Sequence, residues 1–181
     1  MGHWEQVLDD LVRDRGPALV GYAALLTGST REAEDLVQDA LVRAFSRART
    51  PIDPLAAEAY VRRSILNTYL DGYRRRARWQ GIRHLFVTRP TDESPEMQIQ
   101  TRIDVGMALK RLTQRERACV VLRFYEDLTV PAIAERIGIS EGAVKRYLSD
   151  AVHRLEEVLG PDSRSDAQTE IIDLIKYGSR S

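Results

Sequence analysis

Apolar residues recur at spacings of three and four along most of the chain, and no alternating strand pattern survives more than a few residues, so the periodicity is helical throughout. Val7 to Leu26 supplies one or two helices. From Ser29 onward, Ala33, Leu36, Val37, Ala40, Leu41, Ala44 and Phe45 form an apolar stripe. Ser29 and Glu32 head it with the spacing of a capping box, and Pro51 and Pro54 stop it in "RARTPIDP". The next helix is expected from about Ala56 to Trp79, burying Val61, Ile65, Leu66, Tyr69, Leu70 and Tyr73. Between Arg83 and about Arg102 the pattern dissolves into polar residues with Pro90 and Pro95, which reads as a linker. Helical periodicity resumes near Ile103. A second capping box, Thr113 and Glu116, opens "TQRERACVVLRFYED", followed by "LTVPAIAERIG" and "ISEGAVKRYLSDAVHRLEEVLG". The pattern predicts an all-α chain of two small helical domains joined by a flexible linker. The domains are 1–82 and 103–160, the linker 83–102, and a tail, 161–181, follows Gly160 and Pro161.

Composition adds bounds to this outline. With 181 residues and 43% hydrophobic content, the chain can bury one modest core or two small ones. Charged residues make up 30% of it, yet the net charge is zero, which excludes a simple polycation and leaves room for local fields of opposite sign. Those fields are present. Arg62 to Arg83 holds seven arginines against the single acid Asp71, whereas "EQVLDDL" and "EAEDLVQD" are acidic. The one cysteine, Cys119, lies in the apolar string "ACVVL" and reads as a small buried hydrophobe. The start "MGHWEQVLDD" lacks the order of a signal peptide, and Gln6 stands where a myristoylation signal needs Ser or Thr. The longest apolar run, "ALVGYAALL", falls well short of the ~20 residues that span a bilayer. A cytoplasmic protein without membrane insertion is expected.

Ala134, Gly138 and Val144 fall at the spacings of a helix-turn-helix: a small residue where two helices touch, a glycine at the turn, and a β-branched residue inside the second helix. Thr129 can cap the first helix, with Pro131 in its opening turn, and Ser140 can cap the second. With Val144, Leu148, Val152 and Leu155 turned inward, the outer face presents Glu141, Gly142, Lys145, Arg146 and Ser149. Lys145 and Arg146 are the candidates for base or phosphate contact. A helical hairpin with charged solvent positions is the plainer alternative.

Two further stripes lie in the first half. Asp35, Gln38, Asp39 and Val42 share a face, which spacing alone leaves as either a solvated face or a docking surface. No histidine stands near Asp35 and Asp39, so no metal is expected there. On the next helix Arg63, Asn67, Asp71, Arg74 and Arg78 share a face. Asparagine offers donors and acceptors to a base edge, arginines neutralise phosphate, and Tyr69, Tyr73 or Trp79 could supply stacking surface. That mixture suits melted nucleic acid better than intact duplex.

The order "REAEDLVQDALVRAF", "AYVRRSILNTYLDGYRRRAR", a linker, then "LTQRERACVVLRFYEDLTVPAIAERIGISEGAVKRYLSDAVHRL" resembles the group 4, extracytoplasmic-function sigma factors of bacterial RNA polymerase, from Ala18 to about Leu159. The resemblance implies that Glu34, Asp35, Leu36, Gln38 and Asp39 face the clamp coiled coil of core RNA polymerase. It implies that Arg63, Asn67, Asp71, Arg74, Arg75 and Arg78 engage the melted minus-ten element of promoter DNA. Ser140, Glu141, Gly142, Lys145, Arg146 and Ser149 would meet the minus-thirty-five element in its major groove. An anti-sigma factor is the implied regulator, and neither a cofactor nor catalysis is implied. Tyr60 stands where the family very often has tryptophan. Arg146 and Tyr147 replace a usual small and a usual basic residue, and Asp150 a common arginine, so the recognition helix carries less positive charge. Two other classes remain as rivals: a dimeric duplex-binding regulator with a sensing first domain, and a hydrolase holding a metal on Glu32, Glu34, Asp35 and Asp39.

Overall fold

The computed structural model describes residues 3–46, 54–80 and 108–159, with side chains for 6–46, 56–72 and 108–157. The expected linker, the tail and the start of the second domain lie outside the described residues. Six helices carry the architecture of the described residues: α1 His3–Thr27, α2 Thr30–Ser46, α3 Pro54–Gln80, α4 Gln114–Phe124, α5 Val130–Ile137 and α6 Glu141–Leu159.

The first three form one bundle. α1 is a single helix that runs through Pro17. Pro17 sits on the exposed side, where the carbonyl it deprives of a partner can meet water, while Leu11, Leu19, Tyr22 and Leu26 carry the buried stripe past it. Gly28, at φ +74°, turns the chain into α2, and its amide donates to the Ala24 carbonyl at 2.8 Å. Ser29 then caps α2, its hydroxyl accepting from the Glu32 amide at 3.4 Å. Ala33, Ala40 and Ala44 are buried along α2, and such small side chains let neighbouring helices approach closely. Ser64 Oγ donates to the Ala40 carbonyl at 2.9 Å and ties α3 to α2. α3 starts two residues earlier than its periodicity suggested, because proline fits a first turn whose amides are free anyway. It buries Val61, Ile65 and Leu66, with Tyr69 and Leu70 half-buried. The side chain of Tyr73 lies outside the described residues.

The last three helices form the second bundle. Both halves of the Thr113–Glu116 capping box are made. Glu116 is itself buried: it accepts from the Thr113 amide at 2.8 Å and pairs with Arg154 of α6 at 3.4 Å. Thr129 caps α5, and Gly138, at φ +67°, closes it with its amide on the Ala134 carbonyl. Ser140 Oγ accepts from Ala143 and starts α6. Val144, Ala151 and Leu155 are the buried positions of α6, with Leu148 and Val152 at the margin. In α4, Ala118 to Leu122 are all buried, Cys119 among them. A helix covered all round must have neighbours on every side. α4 has α5 and α6 behind it and α1 and α3 of the first bundle in front.

Candidate polymerase and nucleic-acid interfaces

Ser29 sets where α2 starts, and burial of Ala33, Val37, Ala40 and Ala44 sets its rotation, which exposes Glu34, Asp35, Gln38 and Asp39 while Leu36 is half-buried. The acidic stripe continues into an apolar one. Val42 is 69% exposed and borders a groove of about 660 Å³ whose other walls are Leu8 and Val12 of α1 and Leu41 and Phe45 of α2. An exposed valine beside a shallow apolar groove marks an interaction surface more than a solvated face does. Leu8 and Val12 were not among the expected site residues. Helical period alone assigns them to the core, and only the packing of α1 on α2 leaves Val12 outside, 44% exposed.

On α3, Tyr60, Arg63, Asn67 and Asp71 are all exposed and follow one another at steps of three or four, so they form one ridge. The backbone of Arg74, Arg75 and Arg78 continues the same helix, while their side chains lie outside the described residues. Tyr60, 42% exposed, extends the ridge toward the helix start and offers a ring face beside Arg63 and Asn67. On α6, Glu141, Gly142, Lys145, Arg146 and Ser149 are exposed, and Ser140 is spent on its cap. The Arg146 guanidinium lies over the Tyr147 ring at 5.4 Å, which holds the charge against its own helix. Among the described residues, no three His, Cys, Asp or Glu side chains converge as a metal site would require.

Comparison with known proteins decides what these faces belong to. Residues 11–79 match Sigma-70 region 2, and residues 108–157 match Sigma-70, region 4. The RNA polymerase sigma-E factor of Streptomyces coelicolor is 33% identical over 151 residues, covering 83% of this chain and 85% of that protein. The ECF RNA polymerase sigma factor SigM of Mycobacterium tuberculosis is 30% identical over 152 residues, covering 84% and 76%. The chain belongs to the sigma-70 family, among its extracytoplasmic-function sigma factors. A solved relative in fold is the sigma factor RpoE of Bartonella quintana, in co-crystal with the anti-sigma factor NepR. Its TM-score is 0.55 at 24% identity, over 86% of this chain and 92% of that one.

The first bundle of this sigma factor is therefore region 2 and the second is region 4, and the expected faces distribute over both. The acidic stripe on α2 and the ridge on α3 are region 2 surfaces, and the outer face of α6 is a region 4 surface. Two clefts bring the regions together. One, of about 530 Å³, has Asp35, Asp39 and Asp71 on its region 2 wall and Gln114 and Arg117 on its region 4 wall. The other, of about 440 Å³, sets Tyr60, Arg63 and Asn67 against Arg136 and Ile137 at the end of α5.

Between the clefts runs a seam that no local sequence pattern predicts. Arg117 Nη1 donates to the Leu26 carbonyl at 2.9 Å, and Gln114 Nε2 donates to the Tyr69 carbonyl at 2.5 Å. The Arg62 guanidinium lies over two rings, 5.9 Å from Tyr22 of region 2 and 5.4 Å from Tyr125 of region 4. Arg62 is held there by Glu58 at 2.6 Å, which also accepts from Nε and Nη2 of Arg15. The paired arginines, Arg15 first, keep the Glu58 carboxyl below its ordinary range. Burial, with the facing Glu126 carboxylate, raises the Tyr22 phenol well above its ordinary value.

Proposed function

We propose that this sigma factor binds core RNA polymerase through the α2 face and directs it to a subset of promoters. Residues 1–82 carry polymerase and minus-ten binding, 83–102 link, and 103–160 carry minus-thirty-five binding. Glu34, Asp35, Leu36, Gln38 and Asp39, with the apolar groove at Val12 and Val42, meet the polymerase. Arg63, Asn67, Asp71, Arg74, Arg75 and Arg78 take the unstacked minus-ten strand, arginines on phosphate and Asn67 on a base edge. Ser140, Glu141, Gly142, Lys145, Arg146 and Ser149 approach the minus-thirty-five duplex. The protein acts in the cytoplasm as a subunit that confers specificity. It catalyses nothing itself and needs no cofactor or metal.

The observation that carries this reading is the coexistence, in one chain and in the family's order, of an exposed acidic stripe, an exposed Arg–Asn–Asp ridge and a doubly capped helix-turn-helix. Control by an anti-sigma factor is supported by the Bartonella quintana relative, which was solved with one. The test is reconstitution with core polymerase, followed by mapping of transcription starts. Starts that share two upstream elements are expected. Specific duplex binding by the isolated protein, with no association to core polymerase, would instead establish a free-standing regulator.

A further inference from the structure

We propose that the apolar groove between α1 and α2 is the docking site of this chain's own tail, through residues 165–178, and that core polymerase must displace the tail to use the groove. The docking stands on the groove and on the sequence of the tail, while the competition rests on the sigma-factor reading.

Among the described residues three large hydrophobic side chains are strongly exposed, and two of them, Val12 and Val42, stand at this groove. Its other apolar walls are Leu8, Leu41 and Phe45, and Asp9 is the one charged residue that lines its volume of about 660 Å³. A surface of that kind calls for an apolar occupant. Nucleic acid is a poor match, because its phosphates would meet Asp9 and the exposed acids Glu34, Asp35 and Asp39 of α2.

The tail supplies an occupant. Ser165 and Gln168 have the spacing of a capping box, Asp166 falls in the turn that the box would open, and Lys176 and Gly178 have the order of a helix end. Between them Ala167, Ile171, Leu174 and Ile175 recur at three and four, with Thr169, Asp173 and Lys176 on the opposite side. The pattern prescribes an amphipathic helix of about twelve residues, a length that is marginal in water unless its apolar face finds a partner. Laying such a face into an apolar groove, with anchors one turn apart, is a recurrent mode of recognition.

Tethering makes a weak contact sufficient. The twelve residues from Leu159, at the end of α6, to Ile171 reach ~40 Å when extended, about the width of a compact chain of this length, whose radius of gyration is ~16 Å. A short tether gives an effective concentration on the order of 1 mM, so a segment with an intrinsic Kd of ~0.1 mM is docked about nine-tenths of the time. Core polymerase then meets an open groove in about a tenth of the molecules, and its apparent affinity falls about tenfold.

The experiment uses the full chain. Val42→Cys is combined in turn with Ile171→Cys, Leu174→Cys and Asp173→Cys, and intramolecular disulfide formation is followed under copper phenanthroline. The native Cys119 is buried and stays out of the reaction. A disulfide needs Cβ atoms about 4 Å apart, so Ile171→Cys or Leu174→Cys should close at least tenfold faster than Asp173→Cys on the opposite side. Equal rates at the three positions, or closure at none, would overturn the docking. In the double variant Ile171→Asp, Leu174→Asp, affinity for core polymerase should rise about tenfold, and an unchanged affinity would overturn the competition. Failure of the sigma-factor reading would show separately, as a chain that closes with the expected pattern but never binds core polymerase.

Discussion

Arg117 Nη1 reaches the Leu26 carbonyl across 2.9 Å of space and ninety-one residues of sequence, and it does so beside Gly28. A Cβ added at Gly28 would lie 3.1 Å from Lys110 Cγ and 3.3 Å from Arg117 Nη1, at a backbone φ of +74°. The glycine thus serves twice: it ends α1 in a left-handed turn, and its bareness lets region 4 come close.

Gly28→Ala should cost about 1–2 kcal/mol in urea unfolding, from the left-handed backbone alone, with more if Lys110 and Arg117 cannot shift. Gly72, inside α3 with open space around its Cβ direction, is the control. Gly72→Ala should gain about 0.5–1 kcal/mol by helix propensity. Equal effects of the two substitutions would contradict this account.

Asp35→Ala and Gln38→Ala remove exposed side chains from α2, so the thermal midpoint should stay within the effect of about 0.5 kcal/mol. Affinity for core polymerase, measured by fluorescence anisotropy, should fall at least several-fold. Val42→Asp in the adjoining groove should lower it as well, through loss of apolar contact.

Asn67→Ala should leave holoenzyme assembly intact and reduce open-complex formation, read by permanganate reactivity of unpaired thymines. Unaltered opening would remove Asn67 from base capture. Tyr60→Ala is expected to act in the same direction, since its exposed ring is the aromatic surface beside Asn67.

Lys145→Ala and Arg146→Ala should each weaken minus-thirty-five binding by the holoenzyme and reduce the slope of log affinity against log salt by about one, if each neutralises a phosphate. A change of sequence preference at unchanged slope would instead assign the residue to a base edge.

The Cys119 thiol is pushed by burial up to about 12. Its folded value lies above its unfolded one, so the unfolded state gives up the proton first as pH rises. Stability is therefore fully present below about pH 9 and declines toward pH 12, with a slope approaching 1.4 kcal/mol per pH unit. The raised Tyr22 phenol adds loss in the same direction at alkaline pH. Cys119→Val should flatten the first part of that decline in urea titrations. The native thiol should resist alkylation at neutral pH until the protein unfolds.

Helices, caps and the turn were legible because each is a local event. Ser29, Thr113, Thr129 and Ser140 act on amides three residues away, and Gly138 on a carbonyl four back, so short stretches contain cause and effect together. The exposed faces followed from the same periodicity, since burying Ala33, Val37 and Ala40 forces Asp35, Gln38 and Asp39 outward. Where the reading diverged, a neighbouring element intervened. The span Val7 to Leu26, expected as one or two helices, is the single helix α1, whose buried residues continue on both sides of Pro17. Leu148 gave way to Ala151, which lies nearer the centre of the α6 contact.

By itself, then, the sequence determined an all-helical chain, most of its helix caps, a helix-turn-helix and three chemically distinct faces, because hydrophobic period and capping operate within a few residues. Only the tertiary structure decided that Arg117, which "TQRERACVVL" presents as one more solvent charge, is buried on α1. It alone decided that Arg62 lies between Tyr22 and Tyr125. Those contacts join residues forty to ninety-one apart, and burial of a charge depends on what covers it, which no local pattern encodes.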